Sequence, residues 1–372
     1  MKQILTNERK AVRLHLTNIA GLGAVQLLRS LLPSLEEASN YRLEKIYLPT
    51  RGELADYKPA NEEVNLIRYK RYLPNLISRL LECTVFGSKF DGTTPLLVFG
   101  DMPLRCNTQQ TVFVQTTLLT RGASSGGYFG DIKYRMLRWL FRFNMGRVSA
   151  FIVQTGAMKS SLIDTYPEIK DRVYIIAQSV PDWLIESPLQ RNRPNKRTEL
   201  GLRLFYPAAT YPHKNHQLLS LIKKRHATAW PVSELLLTIP ENVNPNPRIS
   251  WIQCVDRLES NAVIRAYETT DALLFLSISE SFGFPLVEAM WIGLPIICPN
   301  LPYARALCGN NAIYFNPDNV DSLQKAIVEL KKRIDSGWWP DWSENLKIIP
   351  RNWEEVAAMM LRIAAGDGSI AH

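Results

Sequence analysis

Apolar runs and amphipathic segments alternate along the chain and predict two successive series of strands and helices. In the first half, five apolar runs have the composition of buried strands: VRLHL, RLEKIYL, LLVF, TVFVQ and AFIVQ. Segments with the apolar spacing of helices lie between some of these runs, at residues 24–32, 76–85 and 134–145. Strands that alternate with helices indicate a parallel sheet with helices on both faces.

The second half repeats this alternation more clearly. Its predicted strands have the sequences LRLFYPA, ELLLTI, SWIQCV, ALLFLS, PIIC and AIYF. Its predicted helices cover residues 215–224, 260–269, 285–292 and 320–334. The pattern predicts a second doubly wound sheet, so the fold class is α/β with two similar halves.

A linker is predicted between the two halves. Residues 187–198 are polar and basic, contain two prolines and show no apolar period. A chain of 372 residues is also too long for one ordinary core. The predicted division is therefore an N-terminal domain, a C-terminal domain and a final amphipathic helical segment, at residues 1–185, 200–350 and 351–372 respectively.

Composition restricts the class of protein and its location. The hydrophobic content of 46% and the charged content of 21% are typical of a globular protein. No run approaches 18 apolar residues, and the first ten residues lack the pattern of a signal peptide, so we expect a cytoplasmic protein. The five cysteines lack metal-site spacing and are predicted to be reduced thiols in or near the core.

The net charge is concentrated in the first half. Residues 1–180 contain 24 Lys and Arg against 15 Asp and Glu, which gives +9, whereas residues 181–372 contain 20 of each. A basic surface attracts anionic lipid, lipid-linked phosphates or nucleic acid. No nucleic-acid-binding motif is present, so we expect no nucleic acid partner. We expect peripheral contact with an anionic membrane or a phospholipid-linked acceptor, with a solvated basic face as the alternative.

The segment 134–148 illustrates both interpretations. Its sequence, YRMLRWLFRFNMGRV, combines four arginines with a tryptophan and two phenylalanines. A basic helix with bulky aromatic side chains can lie on an anionic membrane surface, and Arg135, Arg138 and Arg142 are the cations expected to contribute. The alternative is a helix whose apolar side packs against the first sheet.

The most informative motif extends from Glu280 to Glu288 and reads ESFGFPLVE. It follows the strand run ALLFLS and precedes a predicted helix, where open α/β sheets bind ligands. Gly283 allows close approach of the backbone, and the amides of Gly283 and Phe284 at the helix start favour an anion such as a diphosphate. Glu288, one turn into the helix, is placed to accept hydrogen bonds from sugar hydroxyls. This turn predicts a site for a nucleotide.

A second motif, YPHKNH, follows the strand run LRLFYPA and contains Lys214. A lysine near a diphosphate neutralises the charge that develops on the leaving group. Asn215 is predicted to cap the following helix. His213 and His216 are interpreted as capping or surface residues.

The two motifs resemble the Glu-x7-Glu signature and the Lys-Asn phosphate motif of retaining GT-B glycosyltransferases, the group-1 (family 4) class that uses nucleotide sugars. The resemblance is strong over residues 204–321 and weaker before residue 180. It implies two Rossmann-like domains that face a central cleft, with the last helix crossing back to the N-terminal domain. It also implies transfer with retention of the anomeric configuration, without a metal ion or cofactor.

The resemblance implies roles for individual residues. Glu280 is expected to hold the donor sugar, without acting as a nucleophile, and Lys214 to neutralise the diphosphate, so both are candidate catalytic residues. The candidate nucleotide-sugar-binding residues are Glu288 at the ribose and Ser281, Phe282, Gly283, Phe284, Thr210, Gly23 and Gln115.

One departure from the family pattern concerns the phosphate site. Many members carry an arginine five or six positions before this lysine, where residues 208–210 read Ala-Ala-Thr. Three explanations stay open: Thr210 helps weakly, another cation such as Arg121 or Arg305 supplies the charge, or the diphosphate is held less tightly.

The N-terminal candidates are less specific. Gly23 ends a Gly-Leu-Gly sequence that is either a loop facing the cleft or a simple turn, and Gln26 replaces the third glycine of a dinucleotide fingerprint. Gln115 stands where related enzymes often carry a histidine; it cannot act as a base and is expected to orient a hydroxyl. Asp101, after the run LLVFG, is a further cleft candidate.

The sequence thus predicts a hexosyl- or deoxyhexosyltransferase that moves a sugar from a nucleotide-diphosphate sugar to a glycan or lipid-linked acceptor. Cell-surface polysaccharide or lipopolysaccharide synthesis, at the inner face of the membrane, is the expected setting. No metal site is expected, because no DxD sequence ends a strand and no His/Cys cluster occurs. The alternatives are a nucleotide-sugar epimerase of similar fold and a non-catalytic relative that binds glycan or nucleotide sugar.

Overall fold

The computed structural model describes residues 9–19, 22–70, 73, 75–120, 128–191 and 201–367. The chain forms two compact units. The first comprises Met1–Ser179 together with Pro350–His372, and the second comprises Val180–Ile349.

The first unit is built on a seven-stranded parallel sheet in the order β3-β2-β1-β4-β5-β6-β7. This order reverses direction beside β1 and is that of a doubly wound sheet. The strands are β1 Lys10–His15, β2 Tyr41–Pro49, β3 Asn65–Tyr69, β4 Leu96–Phe99, β5 Gln110–Phe113, β6 Val148–Val153 and β7 Val173–Ile175. The five predicted runs of the first half are all strands; β3 and β7, which are short and partly exposed, were not predicted.

Helices cover the first sheet. They are α1 Leu22–Glu36, α2 Asn75–Glu82, α3 Tyr128–Asn144, α4 Gly156–Thr165 and, from the end of the chain, α11 Trp353–Ala364. Helix α11 packs against α1 and the central strands. Its apolar side is fully buried, and the side chain of Asn352 caps it by accepting a hydrogen bond from the amide of Glu355.

The second unit contains a six-stranded parallel sheet in the order β10-β9-β8-β11-β12-β13. The strands are β8 Leu202–Tyr206, β9 Val232–Leu237, β10 Ile252–Cys254, β11 Ala272–Leu274, β12 Ile296–Pro299 and β13 Ile313–Phe315. All six were predicted. Their runs are almost continuously apolar because parallel strands are covered on both faces.

The helices of the second unit are α5 Asp182–Ile185, α6 Ser260–Thr269, α7 Phe284–Trp291, α8 Pro302–Cys308, α9 Val320–Asp335 and α10 Ser343–Leu346. Among the described residues, no helix has the length and apolar composition needed to cross a bilayer. None of the five cysteines, all of them described residues, forms a disulfide; four are buried and Cys254 is half-buried.

The predicted helix at residues 215–224 is wrong. Pro212–Lys214 and His216–Leu221 each form a short 3-10 segment, and Asn215 between them has the left-handed conformation. The side-chain amide of Asn215 donates to the carbonyl of Pro317 and holds this conformation, which asparagine tolerates better than most residues. The side chain of Asn215 therefore does not cap the segment that follows it.

The predicted linker begins within the second unit. Its residue Arg191 is bound there, because its amide donates to the carbonyl of Ile292 and its guanidinium donates to the carbonyls of Tyr267 and Glu268. Residues 192–198 of the predicted linker lie outside the described residues. The units divide at Ser179, several residues before the linker.

Candidate functional site

The two sequence motifs meet at the carboxyl edge of the second sheet. Strands β8 and β11 are neighbours, with Phe205 paired to Leu273, so the segments that follow them leave the sheet side by side. The ammonium of Lys214, after β8, lies 2.5 Å from a carboxylate oxygen of Glu280, after β11. Both side chains are mostly shielded from solvent. The structure thus joins the two candidate catalytic residues in an ion pair.

Backbone contacts fix the two segments relative to each other. The carbonyl of His213 accepts a hydrogen bond from the amide of Ile278 at 2.8 Å and another from the hydroxyl of Ser277 at 3.1 Å. Because His213 directly precedes Lys214, and Ser277 lies three residues before Glu280, these bonds align the two charged side chains.

Two buried tyrosines bind the backbone of the same two segments. The hydroxyl of Tyr206 donates to the carbonyl of Lys214 at 2.8 Å, and the hydroxyl of Tyr303 donates to the carbonyl of Ser277. The ring of Phe275 makes edge contacts with both tyrosine rings. Sequence reasoning missed both tyrosines. A polar hydroxyl at the end of the apolar strand β8 was the available signal for Tyr206, whereas nothing local pointed to Tyr303.

The histidines beside Lys214 carry no charge at neutral pH. Burial is the larger of two causes that lower the pKa of His216 to about 4, and the nearby positive charge of Lys214 is the smaller. The same two causes lower the pKa of His213, although Glu280 acts in the opposite direction. Lys214 is therefore the cation of this motif. Thr210, four residues earlier, is exposed.

The turn after Glu280 opens helix α7, as its sequence predicts. Gly283 has φ of 91°, a conformation that disfavours any other residue, and it precedes the first residue of α7. A Cβ at Gly283 would also come within 3.2 Å of the side chain of Leu286. Phe282 is buried and packs edge-on against Phe284, so its side chain anchors the turn.

Glu288 lies in α7, one turn after Gly283, and is buried. The hydroxyl of Tyr267, on α6, donates to its Oε2 at 2.8 Å. Burial raises the pKa of Glu288 to about 7, and the bond from Tyr267 opposes that rise. One carboxylate oxygen is thus fixed by Tyr267, a residue that sequence reasoning also missed.

The N-terminal candidates belong to the first unit. Gly23 lies in the first turn of α1 instead of before the helix, and no described atom is within 4 Å of a Cβ placed there. Gln115 follows β5, and its backbone amide donates to the carboxylate of Asp101 at 2.6 Å. Asp101 also accepts from the amide of Thr116, so it fixes the backbone that carries Gln115.

The structure describes one of the two arginines that were considered as a second cation at the phosphate site. Arg121 lies outside the described residues. The guanidinium of Arg305 lies 3.6 Å from the ring centroid of Tyr314 and donates to the side chain of Asn300. In the described part of the chain, no three His, Cys, Asp or Glu side chains cluster as a metal site would require.

Comparison with known proteins connects this site to a family. Residues 241–334 match the family described as Glycosyl transferases group 1; this segment includes Glu280 and Glu288, and Lys214 precedes it. The O-antigen chain mannosyltransferase RfbU of Salmonella typhimurium is 23% identical over 252 residues, which cover 65% of this chain and 68% of RfbU. The serotype-specific mannosyltransferase WbdA of Escherichia coli is 26% identical over 149 residues, 40% of this chain but only 17% of WbdA.

Solved structures show the same fold. Sucrose-phosphate synthase from Thermosynechococcus elongatus matches 95% of this chain and 98% of its own, with a TM-score of 0.63 and 13% sequence identity. At this identity the likeness concerns the fold alone. It confirms the predicted α/β fold class of GT-B type.

Proposed function

Because residues 241–334 match the group 1 glycosyltransferase family, we propose that the chain transfers a hexosyl group from a nucleotide-diphosphate sugar, with retention of the anomeric configuration. The observation that carries this proposal is the convergence of Lys214, Glu280 and the start of α7 at one edge of the second sheet. Such an edge is where parallel sheets bind phosphorylated ligands.

The donor would be held by three kinds of group. The amides at the start of α7, after Gly283, and the ammonium of Lys214 would bind the diphosphate. Glu288, which has one oxygen bound by Tyr267, would accept hydrogen bonds from the ribose. Glu280 would accept hydrogen bonds from the hydroxyls of the donor sugar. Ser281, Phe284 and Thr210 would contribute to the edges of this site.

Lys214 would contribute most when the bond to the sugar breaks. Negative charge then grows on the leaving diphosphate, and a fixed cation in a shielded site stabilises it without a metal ion. The pairing of Lys214 with Glu280 gives this lysine a defined position before the donor binds. We assign no nucleophilic role to Glu280; the departing phosphate would assist the acceptor hydroxyl on the same face of the sugar.

The sugar and the acceptor are proposed from the relatives. RfbU is named as an O-antigen chain mannosyltransferase and WbdA as a serotype-specific mannosyltransferase, so a mannose donor is the first candidate. The acceptor would be a glycan or a lipid-linked glycan of a cell-surface polysaccharide. The excess of basic residues before residue 181 supports an anionic, membrane-associated acceptor and a location at the inner face of the membrane. Gly23 and Gln115 are the candidate nucleotide-sugar-binding residues of the first unit.

The proposal is tested by incubating the protein with uridine and guanosine diphosphate hexoses and a lipid-linked glycan acceptor, and measuring the products by mass spectrometry. We expect a glycosylated acceptor whose new linkage, by NMR, has the anomeric configuration of the donor. An inverted linkage would contradict retention. A free isomerised nucleotide sugar would indicate an epimerase, and donor binding without turnover would indicate a binding protein. Lys214→Ala, which we expect to be slower than the wild type, serves as the comparison variant.

A further inference from the structure

Helix α3 of the first unit exposes a pair of stacked aromatic rings. Trp139 and Phe143 lie one turn apart on the same side of the helix and are 58% and 47% exposed. Their ring centroids are 5.5 Å apart and their planes differ by 13°. Ile132, also exposed, extends the same stripe toward the start of the helix. Large apolar side chains that adjoin on a surface indicate a binding face more than isolated ones do.

This apolar face continues into the loop after α2. Arg105 links the two, because its guanidinium lies 5.4 Å from the ring centroid of Phe143 and donates to the carbonyl of Thr84 at 2.8 Å. The next residues, Val85 and Phe86, are 64% and 41% exposed. We call the surface formed by these side chains the α3 patch; its members are Ile132, Trp139, Phe143, Val85, Phe86 and the cations Lys89, Arg105 and Arg135.

Cations surround the aromatic rings of the patch. Arg105 lies against Phe143, and the ammonium of Lys89 lies 4.8 Å from the ring centroid of Phe86. Arg135 is exposed one turn before Trp139 on the same helix. Positive groups are therefore distributed along the apolar stripe, an arrangement that suits the boundary between lipid headgroups and acyl chains.

The structure changes which arginines of α3 are expected to act. The guanidinium of Arg138 donates to the carbonyl of Leu118, and that of Arg142 donates to the carbonyl of Thr165. Arg142 also lies 3.7 Å from the carboxylate of Glu168. Both side chains are thus bound by the protein itself, whereas Arg135 of the three candidates remains in the exposed patch.

From this geometry we propose that the α3 patch docks on an anionic lipid bilayer. Two observations select a bilayer over a protein partner. The first is charge complementarity, since residues 1–180 carry a net +9 whereas the remainder is neutral. The second is the combination of a solvent-facing tryptophan with adjacent arginines and lysine, which is the composition preferred at membrane interfaces. The rings would enter the headgroup region while the cations pair with lipid phosphates.

This inference deepens the proposed function, because it assigns a surface for approach to a membrane-held acceptor. Its test requires neither donor nor acceptor. The full-length protein is sedimented with vesicles of phosphatidylcholine alone and of phosphatidylcholine mixed with phosphatidylglycerol, over a range of salt concentrations. Failure of this test would leave glycosyl transfer to a soluble acceptor untouched, so the two proposals can fail separately.

Two double variants probe the two components of the patch. Trp139→Ala with Phe143→Ala removes the rings, and Lys89→Glu with Arg135→Glu reverses two charges without disturbing Arg105. The matched control carries Leu221→Ala and Lys223→Glu, exposed positions of the second unit. Circular dichroism and an unchanged Tm would establish that each variant is folded.

We expect the wild type to bind vesicles that contain phosphatidylglycerol, to ignore neutral ones and to dissociate as salt increases. Each positive charge removed should weaken vesicle binding about fivefold. The ring variant should also weaken binding at least fivefold, and the control should bind like the wild type. Absence of wild-type binding at low salt would overturn the proposal, as would full binding by both patch variants. Self-association of the wild type that is lost in the ring variant, without lipid binding, would reassign the patch to a second copy of the chain.

Discussion

The buried hydroxyl of Tyr267 donates a hydrogen bond of 2.8 Å to the carboxylate of Glu288 and so ties α6 to the candidate ribose-binding residue. This contact restricts the carboxylate to one orientation before any ligand arrives. The charge of Glu288 is sensitive to pH near neutrality, because burial raises its pKa to about 7 while the bond from Tyr267 opposes that rise.

Donor affinity should therefore depend on pH. If Glu288 accepts ribose hydroxyls as a carboxylate, the affinity for a nucleotide sugar should increase as pH rises through about 7 and decrease below it. Tyr267→Phe removes the bond that favours the charged form, so its titration midpoint should move to higher pH. The dissociation constant, measured by calorimetry from pH 5.5 to 8.5 in about half-unit steps, tests this shift. Tyr314→Phe, whose hydroxyl bonds to Gly309, is the control. Identical pH profiles for Tyr267→Phe and the wild type would exclude a positioning role.

The stability of the fold should depend on pH in the opposite direction to donor affinity. The folded-state pKa of Glu288 is raised above the value of 4.5 expected when unfolded, so its ionisation costs stability as pH rises from about 4.5 to about 7. Glu288→Gln should then be more stable than the wild type at pH 8, by on the order of 3 kcal/mol, and no more stable below pH 4.5. Urea unfolding at both pH values measures the difference. A variant that is destabilised at pH 8 would show that the charged form is favoured in the fold.

The fold and part of the site could be predicted from the sequence. Runs such as PIIC and ALLFLS are almost entirely apolar because parallel strands are buried on both faces, so β11 and β12 were evident. The turn at Gly283 was equally evident, since a glycine and a proline directly after an apolar strand indicate a turn that opens a helix. These signals are local, and local patterns are what a single sequence shows.

Long-range contacts could not be predicted. Tyr267 contacts Glu288 from another helix, and Tyr303, on α8, donates to the carbonyl of Ser277 after β11. Neither tyrosine lies within the two motifs. The helix expected at residues 215–224 failed for a similar reason. Asn215 is held in a left-handed conformation by the carbonyl of Pro317, about a hundred residues away.

The ion pair between Lys214 and Glu280 leads to a kinetic prediction. Lys214→Ala should lower kcat more than it raises the donor KM, because the attraction of the ammonium for the diphosphate strengthens as the leaving group departs. Steady-state kinetics with the donor varied tests this, with Lys223→Ala, an exposed lysine of the same unit, as the control. An effect confined to KM would show that Lys214 contributes only to binding. No effect would reduce Lys214 to a partner of Glu280.

Metal dependence provides a separate prediction. If Lys214 and the amides at the start of α7 neutralise the diphosphate, transfer should proceed at an unchanged rate in EDTA. The initial rate is compared with and without chelator, and then after addition of excess Mg²⁺ or Mn²⁺. Loss of activity that either ion restores would mean that a divalent cation, instead of Lys214, carries the leaving-group charge.

The central claim is that Lys214, Glu288 and the start of α7 form a nucleoside diphosphate site, and thermal unfolding with added nucleotides tests it most directly. A nucleotide that binds the folded state alone raises the Tm, so one base among the nucleoside diphosphates should stabilise the wild type. In Glu288→Ala the affinity for that nucleotide, measured by calorimetry, should fall about 10- to 150-fold, equivalent to about 1.5–3 kcal/mol. The variant should stay folded, and Glu268→Ala should bind like the wild type. If no nucleoside diphosphate raises the Tm, or if Glu288→Ala binds the stabilising nucleotide with wild-type affinity, the assignment of this site is wrong.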